Sequence, residues 1–230
     1  MVFLVAEIGV NWHGNYKLAE EMMYAAKNAG CNAVKFQSFT KESISAHPQA
    51  SKLIETSISE SNIRKINEIA ESVGIEWFCT PMYKESVELL DPYVKRFKIR
   101  FTDGVKILDN NTSDLLKKII ETGKEVIISS NIPPKNTIPY EKIKWLYVVP
   151  KYPCELDDLD FSNLGKFDGY SNHSPSIIAP LTAVILGAKI IEVHITADKS
   201  KNYIDNNVSL DYSDLNKLSQ QIKLSENIKR

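Results

Sequence analysis

The sequence has only three cysteines, Cys31, Cys79 and Cys154. They are too scattered for a disulfide framework, and no CxxC pair offers a structural zinc site. A reducing, cytoplasmic setting is therefore expected. An excess of one charge is also missing: 28 Lys+Arg stand against 29 Asp+Glu, a formal net charge of −1. No general attraction to nucleic acid or an anionic membrane follows from that balance. No apolar run reaches the ~20 residues needed to cross a bilayer. The longest, over 177–188, contains Pro180 and ends at Lys189. The apolar start MVFLVAEIGV has no cationic segment before it and carries Glu7, which argues against a secretory leader. Finally, no GxGxxG follows the first apolar run, which argues against a dinucleotide-binding open sheet.

What is there is an alternation. Of the 230 residues, 43% are apolar, enough for one sizeable core. Short apolar runs predict strands over 3–8, 33–36, 76–79, 96–99, 126–128, 145–149, 168–170 and 190–193. Helical periodicity predicts helices over 16–29, 61–73, 83–90, 109–121, 177–186 and 213–228. Gly30, Gly74, Gly123 and Gly187 each follow such a run, where a glycine stop belongs. Eight strands alternating with helices predict a single-domain (β/α)8 TIM barrel over 1–230. The connections over 132–144, with three prolines, and over 154–167 leave little room for helices, so reduced helices are expected after strands five and six.

In such a barrel the strand C-termini build the active site, and there the sequence is polar throughout. The first strand carries Glu7 and runs on to Asn11 and His13. The second ends at Lys35 and Gln37, the third at Thr80, and the fourth contains Lys98. Ser129, Ser130 and Asn131 end the fifth, and Lys151 and Tyr152 follow the sixth. The seventh opens into Ser171, Asn172 and His173, and the eighth carries Glu192 and His194. Lys35 and Lys98 lie inside apolar strands (AVKF, RFKI), where an ammonium needs an anion or must snorkel to solvent. The first alternative gives a clamp for a phosphate or carboxylate, with Ser129 and Ser171 as further donors. His173 and His194, on adjacent strand ends, suit a divalent transition metal; two unconnected histidines are the plain alternative. Glu7 and Glu192 suit general acid–base work or structural pairing with the lysines. Cys79 is discounted as a nucleophile, because cysteine is often a small core residue.

These residues fall in the order of a known family. Through AEIGVNWHGN, AVKFQSF, FCTPMYKESV, FKI, ETGKEVIISS, YP, GYSNHS, LGAKIIEVHIT and DNNVSL, the chain resembles the sialic acid (N-acetylneuraminate) synthase family. Those enzymes condense phosphoenolpyruvate with an amino sugar. The resemblance implies a carbon–carbon bond-forming transferase of sialic acid or polysaccharide biosynthesis. It implies that His173 and His194 hold a divalent metal, manganese foremost, with magnesium or cobalt as substitutes. Lys35, Lys98, Ser129 and Ser171 would hold phosphoenolpyruvate with Thr80 nearby, and Glu7 and Glu192 would be the active-site carboxylates. Tyr152, Asp205 and Asn11 would contact the acceptor sugar.

The chain also departs from the family. Phe101 stands where a small residue, usually serine, is expected beside phosphoenolpyruvate. Trp12–His13, Pro150–Lys151, Asn172 and Val193 differ from the family pattern too. The C-terminal antifreeze-like domain of most members is not found, so a homodimer or a separate antifreeze-like protein is the expected partner. Two other functions stay open: an aldolase-type lyase with a Schiff base on Lys98, and a catalytically weak barrel that acts as a binding or scaffolding subunit.

Overall fold

All eight expected strands form and pair in chain order, β1 to β8, into a closed parallel barrel. They are β1 Phe3–Glu7, β2 Ala33–Ser38, β3 Glu76–Pro81, β4 Arg96–Ile99, β5 Glu125–Ser130, β6 Ile143–Tyr147, β7 Gly169–Asn172 and β8 Ile190–His194. This computed structural model describes residues 1–108, 113–135 and 138–228. The helices are α1 Tyr16–Ala29, α2 Ala50–Leu53, α3 Ile63–Val73, α4 Glu85–Leu90, α5 Phe101–Leu108, α6 Asp114–Glu121, α7 Ile178–Ile185 and α8 Tyr212–Glu226.

Helix α1 shows how local chemistry sets the elements. The Asn15 side chain accepts from the backbone N–H groups of Lys17 and Leu18 at 3.0 and 3.3 Å, filling orphan donors at the helix start. Gly30 stops the helix at φ 92°, a left-handed conformation that glycine takes without penalty. Between the caps, Ala19, Met22, Met23 and Ala26 make one buried stripe against the barrel. Strand residues alternate between the barrel interior and the helices. In β2, Phe36 packs outward against Trp12 and Trp77, while Lys35 and Gln37 reach the inner cavity.

Two expectations on the helices are revised. The helix expected over 109–121 is seen as Asp114–Glu121, begun by the Ser113 hydroxyl accepting from Leu116 N–H at 3.2 Å; residues 109–112 lie outside the described residues. A further helix, α5, directly follows β4, and Gly104 in its middle hid its periodicity. After β5 no helix precedes β6 among the described residues, and after β6 there are only 3-10 turns, Leu156–Asp158 and Leu164–Lys166. Those two connections are reduced, as expected.

Register then decides which side chains meet. Glu7 of β1 lies level with Lys35 of β2 and with His194 of β8. Ser171 of β7 lies level with Glu192 of β8. Polar residues far apart in the chain are thereby drawn to one rim.

Candidate active site

Four charged side chains from four strands form the floor of a cavity of about 550 Å³ at the C-terminal mouth of the barrel. Lys35 Nζ lies 2.9 Å from Glu7 Oε2 and 3.7 Å from Glu192 Oε1. Lys98 Nζ donates to both Glu192 oxygens at 2.9 Å. All four are buried, and two ammonium groups balance two carboxylates. A lone charge at this depth would be prohibitive. The lysines therefore do not snorkel.

The two carboxylates differ. Burial raises the Glu7 carboxyl above its usual range, and Lys35 only partly offsets this. Burial also opposes ionisation of Glu192, but Lys35 and Lys98 together outweigh it and hold Glu192 well below the usual carboxylate range. The charged form is thus favoured at Glu192, and the protonated form is favoured by burial at Glu7. Among the lysines, burial pulls down on both. Glu192 and Glu7 more than compensate at Lys35, whereas Lys98 stays below the ordinary lysine range.

Hydroxyls and one amide complete the floor. Thr80 Oγ1 accepts from Lys35 Nζ at 3.1 Å. Gln37 Nε2 donates to Glu7 Oε1 at 2.8 Å. Ser171 donates to Glu192 Oε1 at 2.9 Å, so its proton is committed to the protein rather than free for a bound anion. Ser129 is different: its hydroxyl is buried, lines the cavity and has no partner. That hydroxyl can hydrogen-bond a molecule bound in the cavity.

Above the floor sit the two histidines, their ring centroids 5.5 Å apart. Tyr152 packs edge-on against both, at 4.9 and 5.7 Å. Burial, helped by His194, pushes His173 down to about 3, so it is a neutral donor. Burial acts in the same direction on His194, but Asp205 outweighs it. The Asp205 carboxylate lies 3.5 Å from His194 Nδ1, which leaves Nε2 of that ring available. Asp205 also interacts with the Tyr152 hydroxyl.

Asn11 is the expected sugar contact that the structure places elsewhere. It is fully buried and absent from the cavity wall. Its amide donates to Ile195 O and Ser209 Oγ at 2.9 and 3.1 Å and accepts from the Asp205 N–H at 3.0 Å. Every polar atom is occupied, so Asn11 sets the Asp205 loop instead of touching a ligand. Trp12 is core: its indole N–H donates to Thr56 O at 3.0 Å. Phe101 does line the cavity, at the start of α5.

Three contributors to the site were given no role by the sequence. Gln37 was legible as the residue two places beyond Lys35 on the same face of β2. Met82 carried no such signal. Gly9, at φ 53°, is the third; a side chain there would meet Glu7 Oε1 at 3.1 Å, Gln37 Nε2 at 3.3 Å and Asp205 Oδ2 at 3.4 Å. Glycine lets the Glu7, Gln37 and Asp205 side chains close in on the backbone at this turn. A second cleft, about 820 Å³ and lined by residues such as Ile107, Tyr140, Trp145 and Phe167, lies away from this chemistry.

The thiols take no part. Cys31, Cys79 and Cys154 are buried and free; burial pushes Cys31 up to about 12 and Cys79 well above the ordinary thiol range. Native protein should therefore react only slowly with iodoacetamide at neutral pH, and with all three thiols after denaturation. Rapid modification of the native protein at Cys79 would contradict this placement.

The NeuB family model matches residues 22–229. The N,N'-diacetyllegionaminic acid synthase of Legionella pneumophila is 31% identical, over 98% of this chain and 72% of its own length. The N-acetylneuraminate-9-phosphate synthase of Homo sapiens is 28% identical, over 97% of this chain and 70% of its own. A solved structure, the N-acetylneuraminic acid (sialic acid) synthetase of Leptospira borgpetersenii serovar Hardjo-bovis in complex with citrate, aligns with a TM-score of 0.81 and 26% identity. That match covers 97% of this chain and 83% of the other. With that family match and a barrel whose mouth gathers this set of charged and imidazole side chains, the chain belongs to the NeuB family and is an enzyme of the synthase kind.

Proposed function

We propose that this chain condenses phosphoenolpyruvate with the open-chain form of an N-acyl amino sugar, of the N-acetylmannosamine kind, to give a nonulosonate and inorganic phosphate. The reading rests on one observation above all: two buried lysines and an unpartnered serine hydroxyl lie beneath a pair of histidines in a single cavity. The acidic products named for the relatives support it.

The histidine pair fits a divalent metal, and we assign manganese. Burial keeps His173 neutral, and the Asp205 carboxylate lies 3.5 Å from His194 Nδ1, near the carboxylate–histidine arrangement common at metal sites. Among the described residues no third His, Cys, Asp or Glu completes a metal cluster, so the other coordination positions fall to water and substrate. Bound there, the metal supplies Lewis-acid polarisation of the sugar aldehyde.

The chain's own groups do the rest. Lys35, Lys98 and Ser129 hold the phosphate and carboxylate of phosphoenolpyruvate and stabilise charge as it shifts between them. C3 of phosphoenolpyruvate forms a bond to the aldehyde carbon, and the aldehyde oxygen gains a proton. Water adds at C2, losing a proton; the C2–O bond to phosphate then breaks as the new hydroxyl becomes the keto group and its proton leaves with the phosphate. Glu7, whose carboxyl burial raises and which lines the cavity, is suited to move those protons. Glu192 stays ionised and fixes both lysines.

The Schiff-base reading is disfavoured by the same geometry. Lys98 is held by two hydrogen bonds to Glu192, whereas imine formation needs a free amine.

The test is release of inorganic phosphate from phosphoenolpyruvate in the presence of N-acetylmannosamine and related hexosamines with manganese. Phosphate release that depends on the sugar, lost with EDTA and restored by manganese, is expected. His173→Ala and His194→Ala should each lose metal content along with activity. Borohydride trapping of pyruvate on Lys98 would favour the lyase instead. No phosphate release with any sugar would favour the scaffolding reading.

A further inference from the structure

His13 lies off the cavity wall, yet two unfavourable features meet on it. Among the described residues it is the one non-glycine residue with a left-handed backbone, at φ 52°. Its Nε2 is buried and has no hydrogen-bond partner. A strained backbone and an orphaned polar atom each cost stability. Such features persist where the surrounding structure holds the residue in place.

The turn after β1 is held in that way. The Trp12 indole N–H donates to Thr56 O at 3.0 Å. A Cβ on Gly14, at φ 69°, would lie 2.9 Å from Glu55 O, so the turn sits close against that segment. Two successive left-handed residues, His13 and Gly14, bring the imidazole to the segment that follows β8. There it packs on Tyr203, with ring centroids 4.6 Å apart. Burial, with Lys52, lowers the imidazole below the ordinary histidine range, which favours the neutral ring in this contact.

Tyr203 is two residues from Asp205. Asn11, from the same turn as His13, accepts from the Asp205 N–H at 3.0 Å. The Ser209 hydroxyl donates to Asp205 O at 2.6 Å. Those bonds hold the Asp205 backbone from one side, and the ring contact holds the segment just before it. The turn after β1 therefore grips the Asp205 segment at two points. The Asp205 carboxylate lies 3.5 Å from His194 Nδ1, where a small outward displacement would lose the contact.

Resting on the metal assignment above, we infer that His13 is a positioning residue. Its ring, packed on Tyr203, keeps the Asp205 carboxylate against His194 and so sets that imidazole for the metal.

Manganese binding is measured directly, from the electron paramagnetic resonance signal of the free ion, in wild type, His13→Gly, Tyr203→Ala and Tyr203→Phe. Glycine adopts the left-handed turn without strain, so His13→Gly removes the ring and spares the backbone. Tyr203 is only partly buried, and Tyr203→Ala removes the other ring. Each of these two should weaken manganese binding about tenfold, the low end of the loss when an outer partner of a metal-bound histidine is removed. Because both act through one contact, the double variant should bind no more weakly than either single one. Tyr203→Phe keeps the ring and should bind manganese as wild type does. Phosphoenolpyruvate affinity in calorimetry should be unchanged throughout, because the lysine floor is untouched. A stack that is merely structural would lower the melting temperature and leave manganese affinity at the wild-type value in both ring-deleting variants, and that result would overturn the inference. Additive losses in the double variant would overturn it too. No manganese binding by wild type would overturn the metal assignment and this inference with it.

Discussion

Replacing Lys98 by methionine should destabilise the barrel by about 3–5 kcal/mol and lower turnover by roughly 10²–10³-fold. Lys98 spans both oxygens of Glu192 at 2.9 Å, deep in the barrel. Its loss would leave Glu192 buried with the Ser171 hydroxyl and with Lys35 at 3.7 Å. Removing one partner of a buried pair exposes the whole desolvation cost of the other. Against a typical domain stability of about 5–15 kcal/mol, that is a large fraction. The double variant Lys98→Met/Glu192→Gln should regain much of the stability, because no unpaired charge remains, yet stay inactive. Denaturant unfolding of wild type, both single variants and the double variant gives the coupling directly. Additive single effects would show that the two side chains are not the tight pair described.

The second large effect is expected at Gly104. In an exposed helix Gly→Ala stabilises by about 1 kcal/mol, but here the sign should reverse. A Cβ on Gly104 would lie 2.1 Å from Ser129 O, 3.0 Å from Ile128 Cγ2 and 3.2 Å from Ser129 C. The first and last are backbone atoms of β5, which cannot swing aside. Gly104→Ala should therefore cost about 1–3 kcal/mol or more and push Ser129 out of place, weakening phosphoenolpyruvate binding while metal binding at the histidines survives. Gly165, where a Cβ would meet nothing within 4 Å, is the control; Gly165→Ala should be nearly neutral. A Gly104→Ala protein that melts at or above the wild-type temperature would show that α5 does not pack on β5 as described.

These two residues also show what the sequence could and could not reveal. Strands β2, β3, β5 and β8 were legible as short runs that each follow a glycine-stopped helix, and the others as runs of strand length spaced between them. Lys35 and Lys98 stood out because an ammonium within such a run needs an explanation. Their partners did not, because pairing depends on register: nothing local says that Lys98 meets Glu192 rather than Glu7. The same gap explains Asn11. Its place after β1 suggested a ligand contact, but three protein hydrogen bonds reached across the fold, to Ile195, Ser209 and Asp205, occupy it. Helix α5 was missed because Gly104 reads as a helix breaker in sequence, whereas in space it permits a close approach. The apolar patch that Val10, Phe39, Leu53 and Met82 form on the cavity wall was illegible for a related reason: they come from three different strand–helix connections, and only the barrel brings them together.

The most direct test of the central claim, that the lysine floor is the phosphoenolpyruvate site, is a calorimetric titration of phosphoenolpyruvate into wild type, Lys35→Met and His194→Ala. Lys35→Met should weaken binding by about 2–5 kcal/mol, the range for truncating one partner of a buried charged contact. His194→Ala should retain most of the affinity while failing to turn over. Wild-type affinity in Lys35→Met, with the fold intact by circular dichroism, would contradict the assignment of the floor.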